Sequence, residues 1–229
     1  MPKNVNITTF PSLLDLIAPH TCRGCGAIGT VLCNRCKKYI FSNHTTLCPN
    51  CKTPTTHAKC PNCHNIPPTY IIGERQDLIG ALIHDYKYNS IRALAKSLAD
   101  ILDELLPPFQ TRTIIVPLPT ISKHIRQRGL DHTLLIAKHL SKLRHCEFER
   151  ALIRAQNTVQ VGSNLKTRSS QAINAYAIAN DFNPDPKATY LLLDDVWTTG
   201  ASMLSANEKL RNAGVNHTAF AILALSRIN

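Results

Sequence analysis

Eight of the nine cysteines fall between Cys22 and Cys63 as four CxxC knuckles, reading CRGC, CNRC, CPNC and CPNC. Each knuckle presents two sulfurs on a tight turn. Two knuckles together make the tetrahedral four-sulfur set that zinc prefers, with no coordination position left open, so the expected chemistry is a fold-holding zinc site and not zinc catalysis. Pairing neighbouring knuckles puts Cys22, Cys25, Cys33 and Cys36 on one Zn2+ ion and Cys48, Cys51, Cys60 and Cys63 on a second; interleaved pairing meets the spacing equally well. His57 and His64 are weaker competitors where eight sulfurs are available, and Cys146, alone in a charged stretch, reads as an ordinary thiol.

A second constellation is YLLLDDVWTTGAS, Tyr190 to Ser202, in which a leucine run drives into adjacent aspartates. Neighbouring carboxylates repel and resist burial, a cost justified where they hydrogen-bond a polyol or hold a metal-bound substrate. Thr198, Thr199, Gly200 and Ser202 are the residue types that wrap a phosphate at a helix N-terminus. A plain helix cap needs one Asp or Ser, not two acids and two threonines. The third constellation, VPLPTISKHIRQRGLDH from Val116 to His132, places Arg126 and Arg128 on a glycine-containing basic loop directly after a strand, where guanidinium donors suit a diphosphate.

The elements that must hold these groups alternate in period. PSLLDLIA (11–18) has the pattern of a short amphipathic helix leading into the cysteine module, and no Asp or Glu occurs between Leu16 and Gly73. NIPPTY closes that stretch as a linker, so the expected division is residues 1–68 for the N-terminal helix and knuckles and 69–229 for a second domain. Leu78, Ile79, Leu82, Ile83 and Tyr86, then Ile91, Leu94, Leu98, Leu102 and Leu105, recur at helical spacing until Pro107 and Pro108. TIIVPLP (Thr113 to Pro119) is a strand, followed by the basic loop and a helix over 130–143. Strands at 175–179 and 190–193, a helix over 202–212 and the strand HTAFAILAL follow, while the polar segment 154–171 reads as a mobile loop. The alternation predicts an α/β fold with a mainly parallel sheet flanked by helices.

The formal charge is +11, from 26 basic and 15 acidic side chains, and two zinc-tetrathiolate sites bring it to about +7. The basic balance favours anionic partners, although aromatic residues at 6% leave no dense base-stacking platform, so contact with a polyanion is expected to be mainly electrostatic. With no signal-peptide pattern and no long apolar stretch, the expectation is a cytosolic protein without membrane insertion.

Residues 190–202 resemble the phosphoribosyl diphosphate (PRPP) signature of type I phosphoribosyltransferases. The likeness implies a PRPP-binding stretch of Asp194, Asp195, Val196, Trp197, Thr198, Thr199, Gly200, Ala201 and Ser202, with the acids on the ribose hydroxyls and the turn on the 5′-phosphate. IHDYKY around Lys87, the VPLP…RQRGLDH loop and the segment through Arg154, Thr158, Gln160, Leu165, Arg168 and Asn174 extend the resemblance, and nearly the whole chain is similar to the ComF family, which joins a cysteine-rich zinc module to a phosphoribosyltransferase domain. Arg128, Gly129, Leu130, Asp131 and His132 stand where that family usually reads RGFNQ. The resemblance implies diphosphate contacts from Arg126, Arg128 and Lys87, Mg2+ arriving with PRPP, and cytosolic handling of incoming single-stranded DNA in natural transformation beside other DNA-uptake or recombination proteins. The alternative it leaves open is an active phosphoribosyltransferase moving ribose 5-phosphate from Mg-PRPP to a nucleobase or related acceptor, with the acceptor site and any catalytic residue unassigned.

Overall fold

A computed structural model describes residues 19–42, 48–51, 53, 60–63, 66–155 and 175–226. The helix expected at 11–18, His57, His64 and nearly all of the polar segment at 154–171 lie outside the described residues. In chain order come α1 (Asn34–Ser42), β1 (Thr69–Glu74), α2 (Leu78–Tyr88), α3 (Leu94–Leu105), β2 (Thr113–Pro117), α4 (Ser122–Arg128), α5 (His132–Arg144), β3 (Glu147–Phe148), β4 (Leu152–Arg154), β5 (Tyr176–Ile178), β6 (Thr189–Trp197), α6 (Ala201–Asn212) and β7 (His217–Leu225).

Five strands form a sheet in the order β1-β7-β6-β2-β3, every neighbouring pair parallel. The α/β expectation is therefore met: a parallel sheet with helices on its faces, preceded by cysteine clusters. The strands are apolar on both faces, as a doubly covered sheet requires. Leu191 and Leu193 join Ile72, Ile115 and Ala221 under α2, α3 and α5, whereas Tyr190 and Leu192 join Ile71, Val116, Phe220 and Ile222 under α6 and the small β4–β5 ribbon. Val31, Leu32, Cys22, Cys36 and Ile40 of the knuckle region sit in the first of these two cores, packed with Ile79, Leu82, Ile83 and Tyr86.

Several elements differ from the sequence expectation. TYIIGE, of which only Thr69 and Tyr70 fall in the NIPPTY linker and for which no strand was expected, is β1, drawn into register by β7 with Ile71 opposite Ile222. The strand expected near 175–179 is present as β5, but it pairs antiparallel with β4 outside the main sheet. The strand expected to end at Leu193 continues as β6 to Trp197, so both aspartates lie within extended backbone. The basic stretch is a helix, α4, closed by Gly129 in the left-handed conformation at φ 71°. Among the described residues no helix is long and apolar enough to cross a membrane.

Candidate functional site

The knuckles resolve into two tetrads, Cys22/Cys25/Cys33/Cys36 and Cys48/Cys51/Cys60/Cys63, within each of which the sulfurs lie within 4.8 Å of one another. Neighbouring knuckles pair, and the interleaved alternative falls. None of the nine cysteines forms a disulfide. The Cys25–Cys33 and Cys51–Cys60 sulfur separations of 3.7 and 3.5 Å approach the ~3.8 Å edge of a tetrahedron built on Zn–S bonds of about 2.3 Å, so the donor sets fit zinc. Gly24 leaves room for the first tetrad, since a Cβ there would stand 2.7 Å from Cys36 Sγ. Two ion pairs tie this tetrad to the sheet domain: Arg23 Nε to Asp85 Oδ2 at 2.6 Å, and Lys37 Nζ to Asp100 Oδ2 at 2.8 Å. Asp85, its carboxyl held below the usual range first by Arg23, also accepts from Asn89 Nδ2 at 2.6 Å, so the knuckle grips the last turn of α2.

That turn carries the next contact. Lys87 Nζ lies 2.5 Å from Asp195 Oδ2, both side chains largely sequestered. The reason is topological. The chain leaves β6 through α6 towards β7 on one side, and leaves β2 through α4 and α5 towards β3 on the other, so a crevice opens between the carboxyl ends of β2 and β6, the usual ligand position in open parallel sheets. Pro117 pairs with Leu193 at its floor, and the backbone amide of Leu118 donates to the Leu193 carbonyl at 2.9 Å.

Asp194 and Asp195 follow directly. The amide of Asp195 donates to Asp194 Oδ1 at 2.8 Å. Burial pushes the Asp194 carboxyl up to about 7, the neighbouring Asp195 charge adds to the rise, and the Asp195 amide, Lys87 and Arg154 oppose it. A hydrogen-bonding or cationic ligand would favour the ionised form of a carboxylate so penalised. Arg154, at the end of β4, donates from Nε to the Pro119 carbonyl at 3.0 Å and stacks 4.6 Å from the ring centre of Tyr176. Sequence reading met Arg154 only as part of the polar segment and did not single out Tyr176.

Beyond Trp197 the chain turns through Thr198, Thr199 and Gly200 into α6. Gly200 has φ 78°, and a Cβ built there would sit 2.2 Å from Trp197 Cζ2, so the turn requires glycine on both counts. Thr199 Oγ1 accepts from the Ala201 amide at 3.3 Å, while Asp194, Val196, Trp197, Thr198, Gly200, Ser202, Met203 and Ile222 line a crevice of about 20 Å3. Gly200→Ala is expected to cost about 2 kcal/mol or more through backbone strain and the indole clash. An unchanged chemical-denaturation midpoint would show instead that Trp197 yields.

Of the expected diphosphate residues, only Lys87 meets an aspartate. Arg128 lies over the Tyr88 ring, 5.0 Å from its centre, one residue from Lys87, and Arg126 is exposed on α4 with no ion pair among the described residues. His132, standing where the family pattern carries Gln, is buried: its Nε2 is 3.0 Å from the Tyr86 carbonyl, and Tyr86 Oη donates to the His132 carbonyl at 2.9 Å. This reciprocal pair joins α2 to α5 next to Lys87. Burial lowers the His132 pKa, which keeps the ring neutral.

Fold and site together define a parallel α/β domain with an acid pair, an adjoining lysine and a Thr/Gly turn at its switch point, bearing two cysteine tetrads. No family model matches the chain. It is 28% identical over 200 residues to Competence protein F of Haemophilus influenzae, covering 80% of this chain and 86% of that one. It is 25% identical over 197 residues to the DNA utilization protein YhgH of Escherichia coli strain K12, covering 80% and 85%. These homologues bear out the resemblance to the ComF family. Among solved structures, it is similar to adenine phosphoribosyl transferase from Trypanosoma brucei in complex with AMP, pyrophosphate and ribose-5-phosphate, at 11% identity and a TM-score of 0.37 over 65% of this chain and 68% of that one.

Proposed function

We propose that the chain is a ComF-like protein that binds PRPP as its magnesium complex and serves cytosolic handling of incoming single-stranded DNA, beside other DNA-uptake or recombination proteins. The observation that carries the PRPP reading is the Lys87–Asp195 contact at the switch point. An ammonium and a carboxylate held there are the two halves of a site for a ligand with both diphosphate and vicinal hydroxyls. On binding, Lys87 turns to the diphosphate with Arg126 and Arg128, which frees Asp195 to join Asp194 on the ribose hydroxyls. The 5′-phosphate then takes the Thr198–Ser202 turn, where the first amides of α6 lack intrahelical partners and the helix end is electropositive. Magnesium enters on the ligand. The DNA side of the reading rests on the names of the relatives and on the basic charge.

Phosphorus NMR of Mg-PRPP with the purified protein tests this, first alone and then with single-stranded DNA or a nucleobase mixture. Broadened PRPP lines without diphosphate support a bound ligand that controls rather than reacts. Diphosphate accumulating only with an acceptor makes the protein a phosphoribosyltransferase in turnover. Unbroadened lines remove the site.

A further inference from the structure

A second binding face adjoins the candidate PRPP site on the side of the first cysteine tetrad. Between the knuckle and the turn from α2 to α3 lies a cavity of about 410 Å3, walled by His20, Thr21, Arg23 and Val31 on one side and Ser90, Ile91, Arg92 and Ala93 on the other. Its volume suits a nucleobase with its sugar, and apolar Val31 and Ile91 suit the faces of a base. At its edge, Arg92 Nη2 reaches the Gly129 carbonyl at 3.5 Å, on the backbone that directly follows Arg128. Arg128 in turn covers Tyr88, a ring 59% exposed and also in contact with His84, 5.1 Å between centres.

The face is cationic in net terms. Arg23 is neutralised by Asp85, but Arg92 and Arg128 make no ion pair among the described residues. Unpaired guanidiniums beside an exposed aromatic ring and a base-sized cavity are the parts of a single-strand binding groove: cations follow the phosphates, and bases stack without sequence preference. A folded protein partner would find few apolar anchors here, and duplex DNA would hide its bases from both ring and cavity.

We infer that this face binds single-stranded DNA, with phosphates on Arg92 and bases on Tyr88 and in the cavity between the knuckle and Ser90–Ala93. The inference rests on the reading of the chain as a DNA-handling protein and gives that reading a surface. The strand passes alongside Lys87, at the mouth of the PRPP site.

The test is fluorescence anisotropy of a labelled oligothymidine with the zinc-loaded full chain, in wild type, Tyr88→Ala and Arg92→Ala, with Arg150→Ala as a control away from the face. Each of the two face variants is expected to weaken binding about tenfold, with circular dichroism unchanged. Arg92→Ala is also expected to lower the slope of log affinity against log salt by about one, whereas Tyr88→Ala leaves the slope in place, a division that general destabilisation does not produce. If wild type binds and both variants bind equally well, this face is not the DNA surface, although the DNA-handling reading survives. If wild type does not bind oligothymidine even in low salt, that reading fails and the inference falls with it. A preference for duplex over single strand overturns the stacking role of Tyr88.

Discussion

The thermal midpoint of the whole chain is expected to fall much further with Cys36→Ser than with Cys51→Ser, although each removes one of eight sulfurs. Cys36 is 7% exposed and belongs to the core shared by α2, α3, α5 and the sheet, together with Cys22, Val31, Leu32 and Ile40. Cys48 and Cys60 are buried, yet neither is part of that core nor of the one on the opposite face. A structural zinc site stabilises the folded state by the free energy of its binding, and what unfolds with the metal is whatever packs on the ligands. For the first tetrad that includes the Arg23 and Lys37 ion pairs and a side of the main core. The expected loss for Cys36→Ser is about 3–5 kcal/mol, or roughly 10 °C for a chain of this size, against a few degrees for Cys51→Ser. Calorimetry checks the order, and a metal assay on denatured protein should find about two zinc ions per wild-type chain and about one in each variant. Equal midpoint losses would detach the first tetrad from the core.

Legibility followed the strength of local pattern. The tetrads were readable because CxxC spacing is short-range and its chemistry narrow, whereas their pairing needed the three-dimensional proximity of knuckles separated along the chain. HTAFAILAL was legible to its ends because a long apolar run has few other uses. β1 was hidden because six residues directly behind two prolines carry little signal, and only β7, distant in sequence, makes them a strand. Helix α4 was hidden for another reason: it buries no residue, so it has no apolar stripe to reveal its period. In the site, Asp194 and Asp195 stood out by type, but the partners did not. Lys87 reaches Asp195 across more than a hundred residues of chain, and the charge of Arg154 acts on Asp194 from a three-residue strand outside the main sheet. His132 was visible as a departure from the family pattern, and only the structure relates that departure to the carbonyl of Tyr86.

The two aspartates are expected to separate under mutation. In the proposed PRPP site, Asp195→Asn removes the charge that Lys87 holds and an acceptor for the ribose hydroxyls; at about 1.5–3 kcal/mol for each charge-assisted bond lost, the affinity for Mg-PRPP is expected to fall by about a hundredfold. Asp194→Asn also weakens PRPP, but its effect on the free protein has the opposite sign. The folded Asp194 carboxyl is raised from 3.8 to about 7, so between those values the folded chain holds a proton that the unfolded chain releases. Unfolding therefore becomes easier as pH rises through that window, and the whole cost is present above it. Asn carries no such cost. At about pH 8 the variant is expected to melt a few degrees above wild type, and at about pH 4 the advantage should vanish. Calorimetry at the two pH values and a PRPP titration read both effects on the same preparations. A variant no more stable than wild type at the higher pH would mean that Lys87 and Arg154 already compensate the charge. A stabilised variant that has lost PRPP would show a carboxylate kept ionised at the expense of the fold for the sake of its ligand.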